Sequence, residues 1–255
     1  MSRIISISNH KGGVGKTTSA INIGAGLQKL GKRVLLIDLD PQANLSQSLG
    51  YGQEEITIYN YLKGAVNNSS LKITPIVIHK DFSLIPSSLD LSGVEVELSG
   101  EAGREFILKE LLQPLKSSYD YILIDCPPSL SLLTINSFTA SDEIIIPLQA
   151  QFLAMQGLAK LVEVIDKIKS RLNKTLTIRG VLITQYDSRK VLNRDVSESI
   201  ISHFKDKVFK TKIRDNIALA EAPARAMDIF KYNSECNGAK DYLSIAKEII
   251  KQDKK

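Results

Sequence analysis

Short apolar runs recur along this chain, and stretches with helical spacing lie between them. Residues 3–8, 33–39 (RVLLIDL) and 81–85 read as strands, and so do 121–125 (YILID), 143–148 (EIIIPL) and 178–184 (IRGVLIT). The runs are nearly continuous in Ile, Val and Leu, without in/out alternation. That is the pattern of parallel strands covered on both faces. Apolar spacing predicts helices over residues 16–30, 103–115, 154–172, 196–204 and 240–251. Gly31 ends the first of them, because glycine accepts the left-handed backbone of a C′ position. Residues 51–80 are irregular, 67–70 (NNSS) read as a loop, and 208–212 as a last short strand. Strand and helix alternating over the whole length predict a doubly wound α/β fold, a mostly parallel sheet with helices on both faces. No repeat, linker or composition break divides the chain, so residues 1–255 are expected to form a single domain.

Composition narrows the class. The chain is 43% hydrophobic and 24% charged, as in an ordinary soluble globule. No run approaches the roughly 18 apolar residues of a membrane helix. The strand pattern begins at once after the first residues, which leaves no room for a signal peptide and makes a cytoplasmic protein the expectation. Cys126 and Cys236 lie far apart and form no CxxC pair, which argues against a disulfide framework or a zinc site. Charge is uneven: residues 1–159 hold 12 basic and 15 acidic side chains, while residues 160–255 hold 21 and 13. Such an excess marks either a nucleic-acid or membrane surface or a solvated lysine-rich face, and charge alone does not separate them.

The strongest chemical signal is Lys11-Gly12-Gly13-Val14-Gly15-Lys16-Thr17-Thr18, placed between a predicted strand and a predicted helix. Glycines there let successive backbone N–H groups converge on phosphate oxygens, and the helix N-terminus adds its positive dipole end. In a P-loop the second lysine, Lys16, reaches the β- and γ-phosphates, and the Thr17 hydroxyl meets Mg²⁺. His10 stands where the standard pattern has its first glycine. Two further acidic segments end strands: Asp38-Leu39-Asp40-Pro41-Gln42, and Asp125 followed by Cys126-Pro127-Pro128. Carboxylates at the C-terminal ends of parallel strands sit where ligands bind in open α/β sheets.

With its extra lysine, Lys11, the loop resembles the deviant Walker A motif of the ParA/MinD ATPase family. DxDPQ and DxPP resemble that family's later motifs, and Gly157-Leu158, Thr184-Gln185-Tyr186-Asp187-Ser188-Arg189, Glu221-Ala222-Pro223 and Asn237-Gly238-Ala239 follow in family order. The resemblance covers essentially the whole chain. It implies a P-loop NTPase fold and a slow ATPase with ATP and Mg²⁺ as cofactors. It further implies an ATP-sandwich homodimer in which Lys11 acts across the interface. By the same resemblance Asp40 orients the attacking water, Asp38 and Asp125 support the metal with Thr17, and Arg214 and Asn216 lie near adenine.

Within the family the chain resembles the short ParA/Soj type. The last predicted helix has the spacing of a packed face, and few residues follow it to anchor a membrane. The motif begins too near the start for a preceding DNA-binding domain. The resemblance then implies non-specific binding of double-stranded DNA, a ParB-like stimulating partner, no membrane and a nucleoid-associated location. Basic residues that could meet phosphates are Arg189, Lys190 and Arg194, then Lys205, Lys207, Lys210, Lys212 and Arg214. A MinD-like membrane-positioning ATPase and a ParA-like carrier of protein cargo are the alternatives. The chain departs from the family at Arg214 and Asp215, where the pattern has Pro-Arg, and at Gln151 and Gln156, where it often has glutamate.

Overall fold

The computed structural model describes residues 2–67, 71–151 and 154–254, without the side chains of 154–156. The side chain of Gln156 and most of the predicted 67–70 loop lie outside that description. The strands are β1 Arg3–Ile7, β2 Val34–Asp38, β3 Ile76–His79, β4 Phe82–Ile85, β5 Tyr121–Asp125, β6 Glu143–Gln149 and β7 Thr177–Thr184. They form one seven-stranded sheet in the order β3-β4-β2-β5-β1-β6-β7. Every neighbouring pair is parallel except β3 and β4. Alternate side chains of β2 enter two different cores: Leu35 and Ile37 on one face, Val34 and Leu36 on the other. Both faces are covered, which is why the strands read as unbroken apolar runs.

Several stretches differ from the sequence reading, among them the helix expected over 103–115, which forms only at Ile107–Leu112. The region 51–80 contains a helix, Ile58–Val66, and the edge strand β3. That strand is only 4 residues long and mostly half-exposed, too little to carry a period. A helix at Leu132–Ala140 gave no signal because it buries Thr134, Asn136, Ser137 and Thr139 along with its apolar residues, so no amphipathic stripe exists. The strand expected at 208–212 does not form. Val208 makes one isolated bridge to Val181 and the Phe209 N–H donates to the Val181 carbonyl at 3.0 Å, but the N–H groups of Lys210 and Thr211 then donate to the Glu248 carboxylate at 3.0 and 2.9 Å and the pairing stops. The last two long helices, Val191–Phe204 and Asn237–Gln252, begin earlier than expected.

The C-terminal helix, Asn237–Gln252, buries Ala239, Tyr242, Ile245, Ala246 and Ile249. Tyr242, Ile245, Ala246 and Ile249 join the core that also holds Ile21, Ile23 and Leu27 of the helix Lys16–Lys29. Its end is clasped by the buried Arg179, which donates to the Ile249 carbonyl at 2.5 Å and pairs with Asp253 at 2.9 Å. Parallel pairing brings the C-terminal ends of β1, β2 and β5 into register, with Asp125 opposite both Ile7 and Asp38. That edge carries the candidate site.

Candidate nucleotide-binding site

The loop after β1 turns through left-handed backbone at Gly13 (φ 72°) and Gly15 (φ 83°), which side chains with a Cβ rarely accept. Its carbonyls are tied to neighbouring strand ends. Thr184 Oγ1 donates to the Val14 carbonyl at 2.8 Å, and the Gln149 and Gln185 side-chain amides both reach the Gly13 carbonyl at 3.1 Å. The N–H groups of residues 12–18 find no acceptor among the described residues. No acidic residue occupies the first turn of the helix Lys16–Lys29, and Gly15 offers no side-chain cap. The result is a run of open amides at a helix N-terminus, a concave donor array suited to an anion.

Lys16 is buried, with its Nζ donating to the Lys11 carbonyl at 3.1 Å. Burial pushes its pKa down, while Asp125, Cys126 and Asp40 hold it up. Thr17 Oγ1 donates to Asp125 Oδ2 at 2.6 Å. The other oxygen, Asp125 Oδ1, is buried without a hydrogen-bond partner among the described residues. Burial and the charge of Asp38 raise the Asp125 pKa well above the carboxylate range. A hydroxyl beside an orphaned carboxylate oxygen fits Mg²⁺, which takes one or two protein oxygens and completes its shell with water and phosphate. No group of three or more His, Cys, Asp or Glu forms a protein-only metal cage among the described residues.

Asp38, expected beside the metal, has both oxygens engaged within the chain. Oδ1 accepts from the Asp40 N–H at 3.2 Å, and Oδ2 from the Ser46 N–H and hydroxyl at 2.9 and 2.7 Å. Burial raises its pKa to about 6 against those hydrogen bonds. It therefore positions the segment that carries Asp40. Among the described residues the Asp40 carboxylate is engaged through Oδ1 alone, which accepts from Gln42 N–H at 3.0 Å, and its carbonyl accepts from the Ser87 hydroxyl at 2.8 Å. Ser46, Ser87 and Gln149 were not foreseen as parts of this site. No motif marks them; Gln149 ends β6, Ser87 follows β4, and Ser46 lies in the short helix Asn44–Ser48 after β2.

Lys16, Thr17, Asp40 and the loop glycines line a cavity of about 390 Å³. Beside it lies a second cavity of about 300 Å³, walled by Gly15, Thr18, Thr184, Arg214, Asn216 and Tyr242. Gly15, Thr18 and Gln185 line both, so the two cavities adjoin. The Arg214 guanidinium is gripped by Asp241, at 2.6 Å from NH2 to Oδ1, and Asn216 Oδ1 accepts from the Ala218 N–H at 2.9 Å. Lys11 Nζ reaches out to Gln151 Oε1 at 2.6 Å. His10, the residue without its expected glycine, lies against Gly157; a Cβ there would stand 2.4 Å from the ring. Burial, then Lys160, Lys16 and Lys11, pushes the His10 pKa below its ordinary 6.5.

The basic residues of the last third are set around two cavities. Arg189 and Arg214 line a surface cavity with Tyr186, while Lys205, Lys210 and Lys212 line another with Glu248 and Lys251. Lys212 joins the two, its Nζ 4.2 Å from the centre of the Tyr186 ring. Lys190 and Arg194 are exposed beside the first group, and Lys207 lines neither cavity.

Residues 2–178 match a family described as an AAA domain. The chain is 45% identical over 254 residues to the chromosome-partitioning ATPase Soj of Treponema pallidum, covering 99% of each chain. Among solved structures it resembles cobyrinic acid a,c-diamide synthase from Mycobacterium smegmatis with bound ADP and magnesium. That match has a TM-score of 0.85 at 33% identity, over 100% of this chain and 96% of that one. It also resembles the cell division ATPase MinD of Pyrococcus furiosus, with a TM-score of 0.80 at 28% identity over 99% and 100% of the two chains.

Proposed function

The chain belongs to the ParA/MinD family of ATPases, among its ParA/Soj relatives, and from that membership we propose that it is an ATP-driven switch that partitions DNA. It hydrolyses ATP with Mg²⁺ as cofactor. The observation that carries the reading is the array of open amides at residues 12–18, set beside Lys16 and the Thr17–Asp125 pair. The amides and Lys16 bind the phosphates. Thr17 and Asp125 hold Mg²⁺, which when bound neutralises phosphate charge. Arg214 and Asn216 flank the nucleoside. Asp40, buried with one oxygen uncommitted, orients the attacking water from the mouth of the phosphate cavity. Lys11 leaves Gln151 to reach the nucleotide of a second copy, closing an ATP-sandwich dimer. Dimerisation doubles the basic face formed by Arg189, Lys190, Lys205, Lys207, Lys210, Lys212 and Arg214, and two linked weak surfaces hold DNA far better than one. Hydrolysis, stimulated by a ParB-like partner, reopens the dimer and frees the DNA.

One observation favours this reading over membrane positioning. The apolar face of the C-terminal helix is buried on the core and its end is clasped by Arg179. No helix among the described residues is long and apolar enough to cross a membrane. The test measures binding to random-sequence duplex DNA and to anionic liposomes, each with and without ATP, at two salt concentrations. ATP-dependent, salt-sensitive DNA binding is expected; ATP-dependent binding to liposomes but not DNA overturns the reading. Asp40→Ala should keep ATP binding and DNA binding while turnover falls by about 10²-fold or more.

A further inference from the structure

The basic end of the chain is less basic than its composition once its own acids are placed. Arg189 and Arg214 share a surface cavity of about 550 Å³ with Tyr186, Asp215 and Asn216. Each arginine is already held by a carboxylate of the same chain. Asp187 accepts from Arg189 Nε and NH2, both at 2.9 Å. Asp241 accepts from Arg214 Nε and NH2 at 3.0 and 2.6 Å. A guanidinium facing two carboxylate oxygens has the fork geometry it would also offer a phosphate. Arg189 is nevertheless 88% exposed, so a polyanion can reach it. Its hydrogen bonds hold the Asp187 carboxyl down to about 2.

Asp215 stands differently in the same cavity. It is exposed, and its backbone N–H donates to the Tyr186 carbonyl at 3.1 Å. Its carboxylate makes no hydrogen bond or ion pair among the described residues, yet its charge acts on Arg189.

We propose that Asp187 and Asp215 are built-in competitors for DNA phosphate, and that they hold the affinity of this face below what its arginines would give. The proposal rests on the DNA reading above. Asp187 occupies the phosphate's place on Arg189, so a DNA contact there is an exchange of partners. Asp215 repels any phosphate that approaches the cavity. A single copy then grips DNA weakly, and retention depends on two copies acting together. The device sharpens the contrast between the ATP-bound dimer and the free chain.

The experiment uses the full chain with a non-hydrolysable ATP analogue and a random-sequence duplex, titrated across a salt series. Four proteins are compared: wild type, Asp215→Asn, Asp215→Glu and Arg189→Ala. Asp215→Asn should tighten binding about three- to tenfold at low salt, and steepen the log–log salt slope by up to about 0.9, the value of one extra neutralised phosphate. Asp215→Glu should bind as wild type does. An unchanged melting temperature for each variant reports an intact fold. If Arg189→Ala weakens binding but Asp215→Asn binds no tighter than wild type, the competitor proposal is overturned and the DNA reading stands. If none of the proteins binds duplex at any salt, both fall together.

Discussion

The phosphate loop and the basic C-terminal face treat their polar groups in opposite ways. At the loop, the amides of residues 12–18, those of Gly12 and Gly13 on exposed residues, and the buried Asp125 Oδ1 find no partner among the described residues. At the basic face, Arg189 and Arg214 are exposed to a large degree and yet each is held through Nε and Nη2 by a carboxylate, of Asp187 and Asp241. An unpartnered buried polar group costs about 1–3 kcal/mol, whereas an exposed ion pair contributes roughly 0–1 kcal/mol. The first arrangement persists because a ligand completes it. The second is stable without any ligand, so its partner must displace something. A buried oxygen left open, as at Asp125, is therefore a stronger sign of a binding site than a surplus of exposed charge.

The largest test of that contrast is Lys16→Ala. It should weaken ATP binding by about 100-fold or more and abolish the effect of ATP on DNA binding, because Lys16 is the one buried cation at the loop. Near-normal nucleotide affinity in an equilibrium titration would show that the open amides alone do the work. Asp125→Asn comes next. Without ligand, removing a buried carboxylate that faces Asp38 should stabilise the fold by about 1–2 kcal/mol in chemical denaturation. The same change should abolish the stimulation of turnover by Mg²⁺. Loss of both stability and turnover would mean that Asp125 is structural.

Arg189→Ala probes the other face and should weaken DNA binding only about three- to tenfold, since Asp187 already screens it. A loss of several hundredfold would break the comparison by making Arg189 an uncontested anchor. The smallest effect concerns His10. Its lowered pKa means that the fold prefers the neutral ring. That preference stabilises the fold above the ordinary value near 6.5 and is lost as pH falls below it. The chain should lose stability between pH 7 and 5, and His10→Gln should lose less; equal losses would show that His10 is not the titrating group.

Much of the fold was legible. The strands over 121–125 and 143–148 stood out because burial on both faces leaves only apolar side chains, and the loop at 11–18 stood out because its chemistry needs consecutive residues. The antiparallel edge strand β3 and the helix Leu132–Ala140 carried no comparable pattern, one too short and half-exposed, the other buried on all sides. The 208–212 stretch looked like a strand because its composition suits one; after Phe209 pairs with Val181, a glutamate from the C-terminal helix takes the N–H groups of Lys210 and Thr211.

By itself the sequence determined the P-loop, the acids that end β2 and β5, and the parallel α/β architecture, all of which depend on neighbours along the chain. Only the tertiary structure decided which polar groups are free. Asp38 is committed to Ser46, Arg214 to Asp241 and Arg189 to Asp187, while Asp125 Oδ1 and the loop amides stay open. The Arg214–Asp241 contact joins residues far apart in sequence, and the Asp187–Arg189 contact depends on how the turn after β7 is bent. A count of charges records neither, because pairing is set by distance in space and not by order along the chain.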